Sequence, residues 1–201
     1  MRLLVATGNK HKLEEFGRIL KPLGITILSP SDIDLAVDVE ETGETFAENA
    51  RQKAEAIFRL TGLPTVADDS GLCVDALGGR PGVYSARYRG EDTPYPEKMA
   101  ALLEELKDVP DEKRTARFAC AICCVVSEHR VIACEETCEG TVAHAPSGSG
   151  GFGYDPLFLV GRETFADLPP ERKDVLSHRG KALRAFARLL EDTIKEDEKT
   201  Q

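Results

Sequence analysis

The segment that decides the fold class is Leu3-Leu4-Val5-Ala6-Thr7-Gly8-Asn9, close to the start of the chain. Its first four residues form a short apolar run, which is typical of a buried β-strand. The run ends in a polar Thr-Gly-Asn turn, and Leu13, Phe16 and Leu20 then recur at helical spacing. A buried strand that leads directly into an amphipathic helix favours an α/β protein.

The rest of the chain continues this mixture of strands and helices. Residues 25–28 predict a second strand, and a long helix follows, with Thr45 and Glu48 spaced as a capping box and Gly62 at its end. Thr65-Val66-Ala67 predicts a third strand, which runs directly into Asp68-Asp69-Ser70-Gly71. The later predicted elements are a helix with Met99, Leu102, Leu103 and Leu106, a β-hairpin of residues 115–126 and 130–143, a strand from Asp155 to Val160, and a final helix from about Gly180 that carries Leu183, Phe186, Leu190 and Ile194. We expect residues 1–201 to form a single mixed α/β domain.

Composition and charge exclude several classes of protein. The 201 residues are 41% hydrophobic and 30% charged, as in an ordinary globular protein. No apolar run approaches the roughly 20 residues of a membrane span, and the N-terminus turns polar too soon for a signal peptide, so we expect a cytoplasmic protein. The net charge of −9, from 35 acidic and 26 basic residues, argues against binding to nucleic acid but not against binding to nucleotides.

Five of the six cysteines lie between residues 120 and 138, and Cys120 and Cys123 have C-x-x-C spacing. A two-residue hairpin turn would place Cys123 opposite Cys134, which leaves a zinc or redox pair open. The pair lies in an apolar, strand-like run, whereas zinc prefers such a pair in a tight turn. We therefore expect reduced, buried cysteines that serve as small apolar core residues.

The first candidate functional segment is the loop from Thr7 to Lys12. Backbone N–H groups at a helix N-terminus carry a partial positive charge that suits phosphate. Gly8 allows a close approach of the backbone, while Thr7, Asn9 and Lys12 offer hydrogen bonds and charge. The pattern is not a Walker loop, which has two glycines before its lysine. The alternative is that Asn9 only caps the helix and Lys12 is a solvated charge.

The second candidate is the pair of carboxylates Asp68 and Asp69. Two adjacent carboxylates repel each other unless a cation or hydrogen-bond donors neutralise them. Glu40 and Glu41 supply further carboxylates in the loop that precedes the long helix. Mg²⁺ prefers such oxygen ligands and completes its shell with phosphate and water. The alternative is an Asx-turn at Asp69 beside a solvated acidic loop.

Two more segments offer contacts to a ligand. Gly150 to Pro156 places glycines beside Phe152 and Tyr154, so a flat base could lie against backbone and ring together. Lys173 and the run Ser177-His178-Arg179-Gly180 offer donors to a base or a phosphate. The alternatives are a plain glycine-rich turn and a basic helix start.

In combination, these motifs resemble the inosine triphosphate pyrophosphatase family, also called the dITP/XTP pyrophosphatases. The resemblance covers roughly residues 3 to 190 and rests on six motifs in the family's order. The matching segments are Thr7-Gly8-Asn9 with Lys12, Glu40 to Gly43 with Phe46 and Asn49-Ala50, Ala67 to Gly71, Gly78-Gly79 with Pro81 to Tyr88, Gly150 to Pro156, and Ser177 to Gly180.

The resemblance implies a long, mixed, twisted sheet flanked by helices, with two lobes, a nucleotide cleft between them and a homodimeric assembly. It also implies an Mg²⁺-dependent enzyme that hydrolyses ITP, dITP or XTP to the monophosphate and pyrophosphate. Glu40 and Asp69 would hold the metal, and Asp69 would also be the base for the attacking water. The implied substrate contacts are Thr7, Gly8, Asn9, Lys10, His11, Lys12, Lys53 and Ser70 for the triphosphate and ribose, and Phe152, Gly153, Tyr154, Asp155, Lys173, His178 and Arg179 for the base.

Two other classes of protein fit the same motifs. One is a nucleotide sensor without catalysis, which Glu40 and Asp69 make the weaker hypothesis. The other is a related pyrophosphatase or phosphatase of the Maf-like kind, with a different base preference. The products distinguish them: pyrophosphate with monophosphate, orthophosphate, or none.

Overall fold

A mixed sheet organises the computed structural model, which describes residues 1–36 and 39–200 apart from the side chains of 196–200. Within those residues the sheet has seven strands, in the order β2-β1-β3-β4-β5-β6-β7. The strands are β1 (Arg2–Val5), β2 (Thr26–Leu28), β3 (Thr65–Val74), β4 (Thr115–Ser127), β5 (Arg130–Val142), β6 (Phe158–Val160) and β7 (Glu163–Thr164). The predicted hairpin is confirmed, because β4 and β5 are neighbours.

Strand directions make the sheet mixed. β1 runs parallel to β2, with Leu3 opposite Ile27, and parallel to β3, with Val5 opposite Val66. β6 runs antiparallel to both β5 and β7. Parallel neighbours need crossover connections, and α-helices supply them here.

Five α-helices flank the sheet in the described part of the chain, which confirms the predicted α/β class. They are α1 (Lys10–Leu20), α2 (Phe46–Thr61), α3 (Tyr95–Glu105), α4 (Pro170–Leu176) and α5 (His178–Thr200). α2 begins with the predicted capping box, since the Thr45 hydroxyl accepts from the Glu48 N–H and the Glu48 carboxylate accepts from the Thr45 N–H. It ends at Gly62, whose φ of 68° is readily adopted only by glycine.

The element boundaries differ from the sequence prediction at three places. β3 does not stop at Ala67 but continues through Asp68, Asp69 and Ser70 to Val74. α4 and the short strand β7 were not predicted, and α5 begins at His178 instead of near Gly180. The long β3 matters most, because it places both aspartates inside a buried strand.

The chain divides into two compact units, each with its own hydrophobic core. The first comprises the described residues within Met1–Asp69, Cys120–Glu136 and Arg179–Gln201. Its core includes Leu3 and Val5 of β1, Phe16 of α1, and Leu183 and Phe186 of α5.

The second unit comprises Ser70–Ala119 and Thr137–His178. Its core includes Leu72, Leu102, Phe118, Phe158 and Phe165. The two lobes and the cleft between them stay predictions.

Candidate active site

The loop between β1 and α1 has the open geometry expected of an anion site. Gly8 is exposed, and a Cβ built on it would have no heavy atom within 4 Å. The Asn9 carboxamide oxygen accepts from the N–H groups of His11 at 3.0 Å and Lys12 at 3.3 Å, so Asn9 does cap α1. Lys10 and His11 are exposed.

Lys12 is not a solvated charge. Its Nζ lies 3.0 Å from Oδ2 of Asp68, and its side chain is 15% exposed. The same Oδ2 accepts from Nε of Arg179 at 3.0 Å, and Nη1 of Arg179 donates to the carboxylate of Glu15 at 2.6 Å. Burial alone would raise the pKa of Asp68, but the cations of Lys12, Arg179 and Lys53 outweigh it and hold that pKa well below its usual range.

Asp68 still has an unused hydrogen-bonding atom. Its Oδ1 is buried and has no hydrogen-bond partner. A buried acceptor without a partner is costly, and such atoms concentrate at sites that bind ions or substrates.

Asp69 points to a different set of groups from Asp68, as expected for successive residues of a strand. Its Oδ2 accepts from Nδ2 of Asn49 at 3.0 Å, and its Oδ1 lies 3.7 Å from Nζ of Lys53. Burial raises the pKa of Asp69 above its ordinary value, and the nearby cation of Lys53 only partly opposes this. An elevated carboxylate pKa suits a group that accepts a proton from water.

Lys53 connects the aspartates with the acidic loop. Its Nζ donates to the backbone oxygen of Asp68 and to a carboxylate oxygen of Glu41, both at 2.7 Å. Burial lowers the pKa of Lys53, but the carboxylates of Asp69, Asp68 and Glu41 raise it to a net value above normal. Lys53 therefore stays charged where phosphate would need it.

Of the two glutamates, Glu41 is the one that pairs with Lys53, whereas Glu40 is exposed. Asp69, Asp68 with its unused Oδ1, and a nearby glutamate form an all-oxygen donor set that fits Mg²⁺. Among the described residues, no group of three His, Cys, Asp or Glu side chains is already arranged as a complete metal site. Mg²⁺ typically uses only one or two protein carboxylates together with phosphate and water, so the donor set is sufficient.

The glycine-rich segment of the second unit is built around Asp155. One of its carboxylate oxygens accepts from the Phe152 N–H at 2.8 Å and from Nζ of Lys173 at 2.7 Å. Nζ of Lys173 also lies 4.9 Å from the centre of the Phe152 ring, which is a cation–π distance. A Cβ on Gly151 would lie 2.1 Å from the same carboxylate, so glycine is needed there for packing.

Two further predicted base contacts are held by packing. The Tyr154 ring is buried, and its hydroxyl donates to the backbone oxygen of Ser85 at 3.1 Å. His178 stacks on Phe118, with ring centres 4.6 Å apart and an angle of 12° between the planes.

The structure brings together Lys12, Lys53 and Asp69 of the predicted set, and adds Glu15, Glu41, Asn49 and Asp68 to them. Ser70 follows directly in β3 and is half-buried. Arg179, predicted to contact the base, here donates to Asp68 and Glu15. Sequence spacing gave a signal for Asn49 within its motif, but none for the pairing of Glu15 with Arg179.

The Ham1 family profile matches residues 3–189. The chain belongs to the Ham1 family. It is 48% identical over 194 residues to the dITP/XTP pyrophosphatase of Geobacillus kaustophilus, covering 96% of this chain and 95% of that protein. It is 46% identical over 188 residues to the dITP/XTP pyrophosphatase of Escherichia coli K12, covering 91% and 94% of the two chains.

Solved structures of the Ham1 family share this fold. The HAM1 protein from Coxiella burnetii has a TM-score of 0.86 and 39% identity, and the match covers 96% of this chain and 99% of that one. The dITP/XTP pyrophosphatase from Mycobacterium abscessus has a TM-score of 0.73 and 44% identity, and covers 92% and 98%. Within the described residues of this Ham1 chain, no helix combines the length and apolar character needed to cross a bilayer.

Proposed function

We propose that this Ham1-family chain is a nucleoside-triphosphate pyrophosphatase that removes ITP, dITP and XTP from the nucleotide pool by hydrolysing them to the monophosphate and pyrophosphate. The observation that carries the proposal is the pair Asp68 and Asp69 inside β3, held among Lys12, Lys53 and Arg179. The names of the curated relatives support the same substrates. A nucleotide sensor would need no such balance of buried carboxylates and cations.

The chemistry follows from these groups. Asp69 accepts a proton from a water molecule, whose oxygen attacks the α-phosphorus as the bond to the α–β bridging oxygen breaks. Pyrophosphate leaves with increased negative charge, which Lys12 and Lys53 stabilise as point charges. The open backbone at Gly8 and the N-terminus of α1 bind the phosphates.

We propose Mg²⁺ as the cofactor, with Asp69 and a glutamate of the acidic loop, Glu40 or Glu41, as its protein ligands. When bound, it would offset charge on the pyrophosphate and orient the phosphates. Excess chelator should abolish turnover, and Asp69→Asn should lower kcat at least about a hundredfold, because it removes both a base and a charged ligand. Full turnover without bound metal would contradict this part of the proposal.

Base selection is assigned to Phe152, Gly153, Tyr154 and Asp155 with Lys173, His178 and Arg179. ITP and XTP carry a 6-oxo acceptor where ATP carries a 6-amino donor, so a site with fixed donors can reject ATP by roughly 10⁴-fold. Because Tyr154 and Asp155 are buried, they act by shaping the loop, and Phe152 provides the ring. Arg179 must be tested separately, since its loss also removes a cation from Asp68.

The deciding experiment measures products and kcat/KM for ITP, XTP, GTP and ATP, with Mg²⁺ present. We expect one pyrophosphate and one monophosphate per turnover, and a strong preference for ITP and XTP over ATP. His178→Ala should reduce that preference, whereas Lys12→Ala should weaken all four substrates alike. Release of orthophosphate would favour a Maf-like or phosphatase activity, and absence of any product would favour a sensor.

The family resemblance also supports a cytoplasmic homodimer. Light scattering of the purified chain at micromolar concentration should give twice the 21.9 kDa mass of one chain. A monomeric mass would exclude the dimer.

A further inference from the structure

Asn49 occupies an unusual position for an asparagine. It lies in the first turn of α2 with its side chain completely buried. Asparagine is a poor residue for a helix interior, and a buried carboxamide is costly unless both its ends form hydrogen bonds. A function for Asn49 must therefore be sought in those bonds.

Both ends of the Asn49 carboxamide are engaged. Its Oδ1 accepts from the backbone N–H of Gly43 at 2.8 Å, and its Nδ2 donates to Oδ2 of Asp69 at 3.0 Å. A backbone N–H can only donate and an ionised carboxylate can only accept, so the carboxamide can bind this pair in one orientation only. One side chain thus joins the acidic loop to Asp69.

The acidic loop is also attached to α2 by a second amide. Gln52, one turn after Glu48, accepts from the Thr42 N–H at 3.2 Å and donates to the Thr42 hydroxyl at 3.2 Å. The packing is tight, because a Cβ on Gly43 would lie 2.7 Å from Oδ1 of Asn49. Gln52 therefore anchors the loop without touching Asp69, whereas Asn49 touches both.

We propose that Asn49 is a positioning residue that fixes the carboxylate of Asp69 and the Glu40–Gly43 loop in one mutual arrangement for metal binding and for activation of water. This inference rests on the proposed function. With Oδ2 of Asp69 held by Asn49, Oδ1 is the oxygen directed toward Lys53. Outer groups that orient metal ligands commonly change metal affinity or activity by about 10- to 100-fold when removed.

The test compares Asn49→Leu, which removes both hydrogen bonds at similar volume, with Gln52→Leu, which loosens only the loop anchor. Binding of Mn²⁺ alone is titrated by the electron paramagnetic resonance signal of the free ion, and kcat and KM are measured separately with ITP and Mg²⁺. For Asn49→Leu we expect a kcat about 10- to 100-fold lower, a Mn²⁺ Kd about tenfold higher and a KM within about threefold of wild type. For Gln52→Leu we expect changes of less than about threefold in all three quantities.

Native kcat and Mn²⁺ affinity in a folded Asn49→Leu variant would overturn the proposal, and so would equal losses in the Gln52→Leu control. If Asn49→Leu does not fold, Asn49→Asp serves instead, because it keeps an acceptor for Gly43 and loses the donor to Asp69. Unchanged kcat in Asn49→Asp would also overturn it. A wild-type protein that hydrolyses no triphosphate but binds Mn²⁺ more tightly than Asn49→Leu would refute the proposed function and retain the positioning role. A wild-type protein that binds no Mn²⁺ would refute the positioning role itself.

Discussion

At the scale of single residues, Gly8 and Gly43 are glycines for different reasons. A Cβ on Gly8 would meet no atom of the protein, whereas a Cβ on Gly43 would lie 2.7 Å from both Asn49 and Glu48. Gly8→Ala should therefore leave the free energy of unfolding within about 1 kcal/mol of wild type, yet lower kcat/KM at least about tenfold, because the methyl group occupies space where phosphate meets the backbone.

Gly43→Ala is the matched control for that substitution. It should lower the melting temperature, since the acidic loop must shift to admit the methyl group. Thermal melting and steady-state kinetics on both variants separate the two effects. A destabilised Gly8→Ala variant with native kinetics would show that Gly8 serves the fold.

The two glutamates of the acidic loop give a second prediction at this scale. Glu41 is paired with Lys53, whereas Glu40 is exposed. If Glu40 is the metal ligand, Glu40→Gln should raise the Mn²⁺ Kd about tenfold or more, and Glu41→Gln should act mainly on Lys53 and hence on KM. The reverse pattern in Mn²⁺ titrations would assign the metal to Glu41.

The sequence predicts which residue types meet at the site better than it predicts their pairing. The segment around Lys12 and the aspartate pair follow from local pattern, because each lies beside a strand or a helix start. The ion pairs of Arg179 with Asp68 and Glu15 join residues 111 and 164 positions apart, and no local periodicity indicates them.

At the scale of elements, Arg114 stabilises the segment between α3 and β4. Its side chain is buried, and it donates to the backbone oxygens of Val142 at 2.9 Å, Leu106 at 2.7 Å and Ala143 at 2.9 Å. Arg114→Lys should lower the free energy of unfolding by about 2 to 4 kcal/mol, because an ammonium group cannot reproduce the planar fork and leaves buried carbonyls unpaired.

Arg117, on β4, provides the comparison. Its exposed ion pairs with Asp75 and Glu139 predict a loss of less than about 1 kcal/mol for Arg117→Lys. Urea denaturation of both variants tests the difference. Equal losses would mean that the three carbonyls find other partners.

Helix and strand types were more predictable than their limits. The capping box and Gly62 define α2 in the sequence as they do in the structure. Two aspartates made β3 look finished at Ala67, because isolated carboxylates are disfavoured in a buried strand. The cations that make them tolerable come from α1, α2 and α5, so they are invisible to a local pattern.

At the scale of the whole molecule, the reactivity of the cysteines tests their predicted structural role. All six are free, and only Cys73 and Cys134 are partly exposed. Burial raises the pKa of Cys123 and of Cys134 to about 11, so about a thousandth of either would be thiolate at pH 8. We expect at most one rapidly reacting thiol in the native protein, at Cys73, and six after denaturation.

A thiol-specific reagent counted at pH 8, before and after guanidinium, makes this measurement. Cys73→Ser is the control and should remove the rapid phase. Several fast thiols, or one zinc per chain in the purified protein, would revive the zinc or redox alternative.

The sequence predicted the mixed sheet but not the way in which the chain composes its two units. Each unit consists of segments far apart in the chain, and the division falls within β3, β4 and β5. Periodicity reports on neighbours within a few residues, so it cannot reveal such a division.

The ion pairs of Arg179 also bear on how the protein is made. Asp68 is buried, and one of its neutralising cations enters the chain 111 residues later, at the start of the last helix. A chain emerging from the ribosome therefore cannot finish its phosphate site while only the first sheet strands are available, and closing so long a loop is slow. The aspartate pair stays unbalanced until translation reaches α5, so a polypeptide released early should lack a working site even where its strands have paired.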